Sequence, residues 1–176
     1  ELMALLGPSE HGQSVRAVPG ENTNVPIWIL GSSLFGAQLA AALGLPFAFA
    51  SHFAPGQMMD AIAIYRERFK PSETLAEPYV MLGFNVFAAD TDEDARLLAT
   101  SMMQSFVALR RGVPSKLKPP RAGYEETLSE AERAQIAFVR QCSAVGSPET
   151  VKQGIAAFIE RTKADELIIA SHIYVH

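Results

Sequence analysis

Two places in the sequence hold residue types able to do chemistry. The first is Gly31-Ser32-Ser33, followed by Leu34-Phe35-Gly36, set between an apolar run and an alanine-rich one. Two hydroxyls beside a glycine suit an anion when a helix starts there. The first-turn N–H groups have no intrahelical partner, and the helix dipole is positive at that end. Each hydroxyl can donate to a phosphate oxygen. Gly31 allows close approach of the backbone to a ligand, and Gly36 leaves the first turn unobstructed. The same serines also suit a plain helix cap. Neither the GxGxxG nor the GxxxxGK[ST] pattern occurs, so the dinucleotide and P-loop readings do not apply.

The second place is a pair of histidines, His52 beside Phe53 in "SHF" and His172 in "SHIY". Each follows a short apolar run. Imidazole titrates near neutral pH, so His52 is the candidate donor or proton shuttle, with Phe53 and His172 as candidate substrate contacts. A structural histidine bonded to a neighbouring loop is the competing reading. The four histidines are scattered, with no His-x-x-x-His spacing, and Cys142 is the single cysteine. No metal site is expected. Met58-Met59 and Met102-Met103 read as packing, Cys142 as an inert core thiol, and Arg110-Arg111 as a solvated helix end.

Something must hold these residues. Residues 26–30, 47–50 and 167–170 are apolar runs expected as buried strands, the first on both faces, and residues 79–88 predict a longer, partly alternating strand. Between them the sequence predicts helices over 33–43, 55–69, 91–111 and 128–142, and from Pro148 onward. Gly44 and Pro71 stop two of them, while Thr91 and Ser147 cap two others. Strands alternating with helices, without a hairpin signal, predict a parallel α/β sheet. In such folds function collects at the carboxyl ends of the strands, where Gly31 and His52 lie. Four such units fit either a small doubly wound sheet or half of an eight-stranded barrel.

Bulk composition narrows the class. The chain has 176 residues, 48% apolar and 19% charged, with a net charge of −4. These numbers describe one folded domain and give no basic excess for nucleic acid. No apolar run is long enough for a transmembrane helix, and the lone cysteine suits a reducing cytoplasm. The start at Glu-Leu-Met and the close on "DELIIASHIYVH" lead us to expect a piece of something larger.

The segments "VPIWILGSS", "AQLAAALGLPFAFASHFAP", "MLGFNVFAADTDEDAR", "GSPETV" and "ADELIIASHIY" occur in an order that resembles the bacterial luciferase-like flavin monooxygenases, in the alkanal-monooxygenase-like branch. The resemblance spans residues 15–176. It implies a (β/α)8 TIM barrel that binds reduced FMN at its C-terminal face, with the phosphate at the loop after the fifth strand. On this sequence that loop is Gly31, Ser32, Ser33, Leu34, Phe35 and Gly36. The four strands become the fifth to eighth, so the expected fold is a partial barrel with outer helices. Residues 1–24 are then an irregular lead-in and 25–176 the C-terminal half. The implied activity is oxidation of a small organic substrate, such as an aldehyde, by O2 and reduced FMN from a separate reductase. The open edges would pack against the missing half or another copy, as a homo-oligomer, and the half alone is expected to be inactive. The competing class is a non-enzymatic flavin-binding or structural half-barrel that packs against a partner chain.

Overall fold

The computed structural model describes residues 2–174. The chain runs α1 (Leu2–Leu6), β1 (Ile29–Gly31), α2 (Leu34–Leu43), β2 (Phe47–Phe49), a 3-10 turn at Pro55–Gln57, α3 (Met58–Arg68) and β3 (Val80–Ala88). It continues with α4 (Asp92–Arg110), a 3-10 turn at Glu125–Thr127, α5 (Glu130–Arg140), β4 (Ser143–Gly146), α6 (Pro148–Thr162) and β5 (Glu166–Ala170). The expected four strands are present within a residue or three of their predicted ends. Two elements are additional. The lead-in carries the short helix α1, and residues 143–146, between the fourth and fifth predicted helices, form β4. That strand is four residues of small side chains ending on glycine, too short to show a hydrophobic period.

Local chemistry explains the helix ends. Thr91, Ser129 and Ser147 accept the N–H groups of Asp94, Glu132 and Thr150, and Ser129 with Glu132 completes a capping box. Gly44 ends α2 at φ +62°, a left-handed conformation that glycine adopts without strain. A Cβ there would meet the Lys70 carbonyl at 2.5 Å, so both backbone and space demand glycine.

All pairings are parallel. β1 pairs β2, and β2 pairs β3 through residues 80–82. β5 pairs residues 81–85 of β3, and β4 pairs residues 85–88. Met81 and Leu82 are shared by β2 and β5, and Asn85 by β4 and β5. A strand has only two edges. So β2 and β4 lie end to end along one edge of β3, and β5 occupies the other. The wall order is β1-β2-β3-β5, and the far half of β3 rises above that wall to hold β4.

Register then sorts side chains by face. Ile29, Phe47, Phe49, Val80, Leu82 and Phe84 point to one side. There they pack against Ala37, Ala40 and Ala41 of α2, Met58, Ala61, Ile62 and Tyr65 of α3, and Val151 and Phe158 of α6. Full burial of each of these aromatics is worth roughly 1.5–3 kcal/mol. The opposite face carries Trp28, Leu30, Ala48, Met81, Gly83, Asn85, Ile168 and Ala170. Its upper end, from Phe87, meets α4 and α5 through Met103, Phe106, Ile136 and Val139. Below that roof the face is bare. Leu30 is 71% exposed and Ile168 56% exposed.

A doubly wound sheet has helices over both faces. Here one face is helix-covered and the other is open below its roof, the wall of a partial (β/α)8 barrel. The expectation that residues 26–30, 47–50 and 167–170 form buried strands is corrected in part by this. It holds for β2, whereas β1 and β5 expose Leu30, Ile168 and Ile169 because no described element covers them. Of the aromatics near the open edges, Phe47 and Phe49 belong to the helix-covered core.

Candidate functional site

The glycine-serine loop lies where sequence reasoning puts it, past the end of β1 and opening α2. Gly31 and Gly36 touch: a Cβ on Gly36 would sit 3.4 Å from the Gly31 Cα and 3.5 Å from the Phe47 ring. These two glycines let the helix start directly against the strand end. Ser33 is the N-cap residue, extended at φ −144° and ψ 171°, yet its hydroxyl makes no cap hydrogen bond. Each of the serine and threonine caps of α4, α5 and α6 does. Ser32, Ser33 and Phe35 are exposed, Leu34 is half-buried and Gly36 is buried. The first turn of α2 therefore keeps its positive end open to solvent beside two uncommitted hydroxyls.

Both histidines are placed by the serine before them. Ser51 is buried, and its hydroxyl donates to the Gly83 carbonyl at 2.7 Å. Ser171 donates to the Val86 carbonyl at 2.8 Å. Since β2 and β5 flank β3, the two Ser-His pairs grip the same strand from opposite edges. His52 and His172 thus come to one cavity of about 260 Å³, together with Phe53. The cavity is also lined by Asn85, Met102, Ser105, Phe106, Leu109 and Val139. Three of the sequence-predicted residues meet here, under the α4–α5 roof.

Gly83 makes the slot for the His52 ring. A Cβ on Gly83 would lie 1.9 Å from Nδ1 and 2.8 Å from Cε1. Nδ1 is buried with no hydrogen-bond partner. A buried orphan N–H is the rarer and costlier case, so the proton of the neutral ring belongs on Nε2. Burial lowers the His52 pKa, and the charge of His172 lowers it further. Neutral imidazole is the form this site favours.

Asn85 is the functional candidate missed in the sequence. Its side-chain amide donates from Nδ2 to the His52 carbonyl at 2.9 Å, which fixes the loop that carries the ring. Its Oδ1 is buried and unpartnered. An unmet buried acceptor costs about 1–3 kcal/mol. The signal was present: a carboxamide inside the apolar run "MLGFNVFAA".

Other candidates resolve differently. Met102 lines the cavity, while Met103 and Met58 are core residues. The Arg110 guanidinium lies 5.1 Å from the Phe106 ring centroid, and Arg111 pairs with Glu132 at 2.6 Å. Burial pushes the Cys142 thiol up to about 11, so it stays protonated and unreactive. The "TDED" carboxylates begin α4. Asp92 accepts from the Ser147 N–H at 2.6 Å and from the Thr150 hydroxyl at 2.9 Å, tying the start of α4 to the start of α6. No helix among the described residues is long and apolar enough to cross a membrane.

A wall of parallel strands with helices outside, and with its loops and cavity at the carboxyl ends, defines an α/β-barrel protein. The chain belongs to the luciferase-like monooxygenase family, whose model matches residues 7–166. It is 48% identical over 177 residues to the protein YvbT of Bacillus subtilis, covering 100% of this chain and 53% of that one. It is 45% identical over 176 residues to a luciferase-like monooxygenase of Escherichia coli K12, covering 100% and 52%. The chain thus spans about half the length of the curated relatives it matches. The crystal structure of apo-MsnO8 superposes with a TM-score of 0.71 at 26% identity, over 93% of this chain and 50% of that one. The fold is shared, at TM-score 0.56 and 18% identity, with the oxygenating constituent of 3,6-diketocamphane monooxygenase from Pseudomonas putida, solved with FMN. That match covers 86% of this chain and 43% of that one.

Proposed function

We propose that this chain supplies the phosphate loop for FMN and one wall of the substrate pocket in a flavin-dependent monooxygenase. The observation that carries this reading is the uncommitted Ser33 cap. Its hydroxyl, the Ser32 hydroxyl and the N–H groups of Leu34, Phe35 and Gly36 suit a phosphate at the positive end of α2. FMN, when bound and reduced, supplies the activation of O2 for transfer to an organic substrate; a separate reductase furnishes the electrons. The chain's own residues bind, orient and exclude water. Met102, Phe106, Leu109 and Val139 give the cavity its dry lining. His52, held neutral, offers Nε2–H as a donor beside the substrate, and His172 stands opposite. The exposed Leu30 and Ile168 support packing of the bare face against further barrel strands or a second copy.

Titration of FMN and of riboflavin against the chain tests the phosphate site. FMN should bind more tightly than riboflavin. Ser33→Ala should weaken FMN by ~1–2 kcal/mol, about 5- to 30-fold in Kd, the scale of one hydrogen bond to a charged group, and leave riboflavin unchanged. Equal binding of the two ligands would place the phosphate elsewhere.

A further inference from the structure

We infer that Asn85 is a specificity-determining residue of this pocket, whose Oδ1 accepts a hydrogen bond from an O–H or N–H group on the substrate. The inference rests on the reading of the cavity as the substrate pocket. Asn85 is 2% exposed and lies on the inner face of β3. Its orientation is not free, because only Nδ2 can donate to the His52 carbonyl, 2.9 Å away. Oδ1 is left as an acceptor with no protein partner. The cavity is lined by Phe53, Met102, Phe106, Leu109 and Val139, which have no side-chain donor, and by Ser105, His52 and His172, none of which is hydrogen-bonded to Oδ1.

A ligand that reaches this amide oxygen with a donor meets its one unmet bond. A ligand carrying only acceptors, such as an aldehyde, can accept from His52 Nε2–H but leaves Oδ1 unmet. The pocket therefore selects an apolar body bearing a hydroxyl or N–H over the matching aldehyde or ether. Size agrees: an apolar cavity of about 150 Å³ accommodates benzene, so 260 Å³ accepts a ring with several further heavy atoms.

Phenol and anisole test this, since they share a ring and differ in whether the oxygen can donate. Binding is followed in the chain by the NMR shifts of the His52 and His172 imidazoles. Phenol should bind about tenfold more tightly than anisole, which corresponds to about 1.4 kcal/mol. In Asn85→Leu the preference should vanish while anisole still binds. Asn85→Asp, which when ionised keeps acceptor oxygens but cannot donate to the His52 carbonyl, should at high pH retain the preference and so separates acceptor from brace. Equal affinities in the unmodified chain would overturn the inference and leave the pocket reading intact. Failure of either probe to shift the two imidazoles would overturn the pocket reading and the inference with it. A preference that disappears on saturation with FMN would assign Oδ1 to the flavin ring and overturn the assignment to substrate.

Discussion

Gly83→Ala is the sharpest available perturbation of the site, because it adds one methyl at a point where the imidazole already sits. The added Cβ would lie 1.9 Å from His52 Nδ1, 2.8 Å from Cε1 and 3.0 Å from Cγ. Ordinary carbon contacts need about 3.5–4.0 Å, so the ring must move by roughly 1.5–2 Å or leave its slot. The backbone cannot simply retreat. Ser51 is bonded to the Gly83 carbonyl and the His52 carbonyl to Asn85. Overpacking of this kind costs about 1–3 kcal/mol. Replacing glycine by alanine inside a strand returns about 0.5–1 kcal/mol. The net loss is about 0–2.5 kcal/mol, and for a chain of this size the midpoint of thermal unfolding should fall by up to about 10 °C. Two measurements check the mechanism as well as the magnitude. The His52 pKa, followed by NMR, should climb back toward about 6.5 as the ring enters solvent. The double variant Gly83→Ala with His52→Ala should recover much of the lost stability, since the clash then has no second party. An unchanged midpoint with an unchanged His52 pKa would refute the slot geometry, and so would a double variant no more stable than Gly83→Ala.

Three further outcomes are expected. The folded-state pKa of His52 lies below its unfolded value, so protonation favours the unfolded chain. Relative to His52→Gln, stability should be intact above about pH 6.5 and decline as pH falls from there through the lowered folded pKa. Parallel urea-midpoint profiles for the two proteins between pH 5 and 7.5 would remove His52 as the cause. Asp92 is lowered by its bonds from the Ser147 N–H and the Thr150 hydroxyl. Its advantage over Asp92→Ala should be full at neutral pH and be lost as pH falls below about 3.9 through the lowered value, as circular dichroism would read. The bare inner face should drive self-association of the isolated chain, and Leu30→Lys with Ile168→Lys should shift it toward monomer in sedimentation; a wild-type monomer at high concentration would count against an exposed packing face.

Much of this architecture is legible in the residues. The alternation of apolar runs with capped helices places β1, β2, β3 and β5, and the turn at Gly31-Ser32-Ser33 marks the loop at the first strand end. His52 and His172 are found as polar residues just past strand ends, and the structure brings them to one cavity. What remained hidden has physical causes. β4 is short and small, and its pairing with the overhang of β3 is a long-range event that no local pattern records. The exposure of Leu30 and Ile168 depends on what packs against them, whereas composition registers only that they are apolar. Asn85 stood in plain view within an apolar run, but its importance lies in which of its two amide atoms is already engaged. The lining from α4 is invisible for a similar reason. Met102 and Met103 are neighbours in sequence, and only the helix's rotation decides which one meets the cavity.

The nine residues of β3 carry two jobs at once. The lower part is barrel wall, clasped by β2 and β5, and the upper part anchors β4 and, through it, the α4–α5 roof. The floor and the roof of the pocket are therefore mounted on one continuous spar. A hinge between them would have to bend that strand and break pairing on both edges. This cavity is built to be filled sideways, from the open inner face, while its height stays constant.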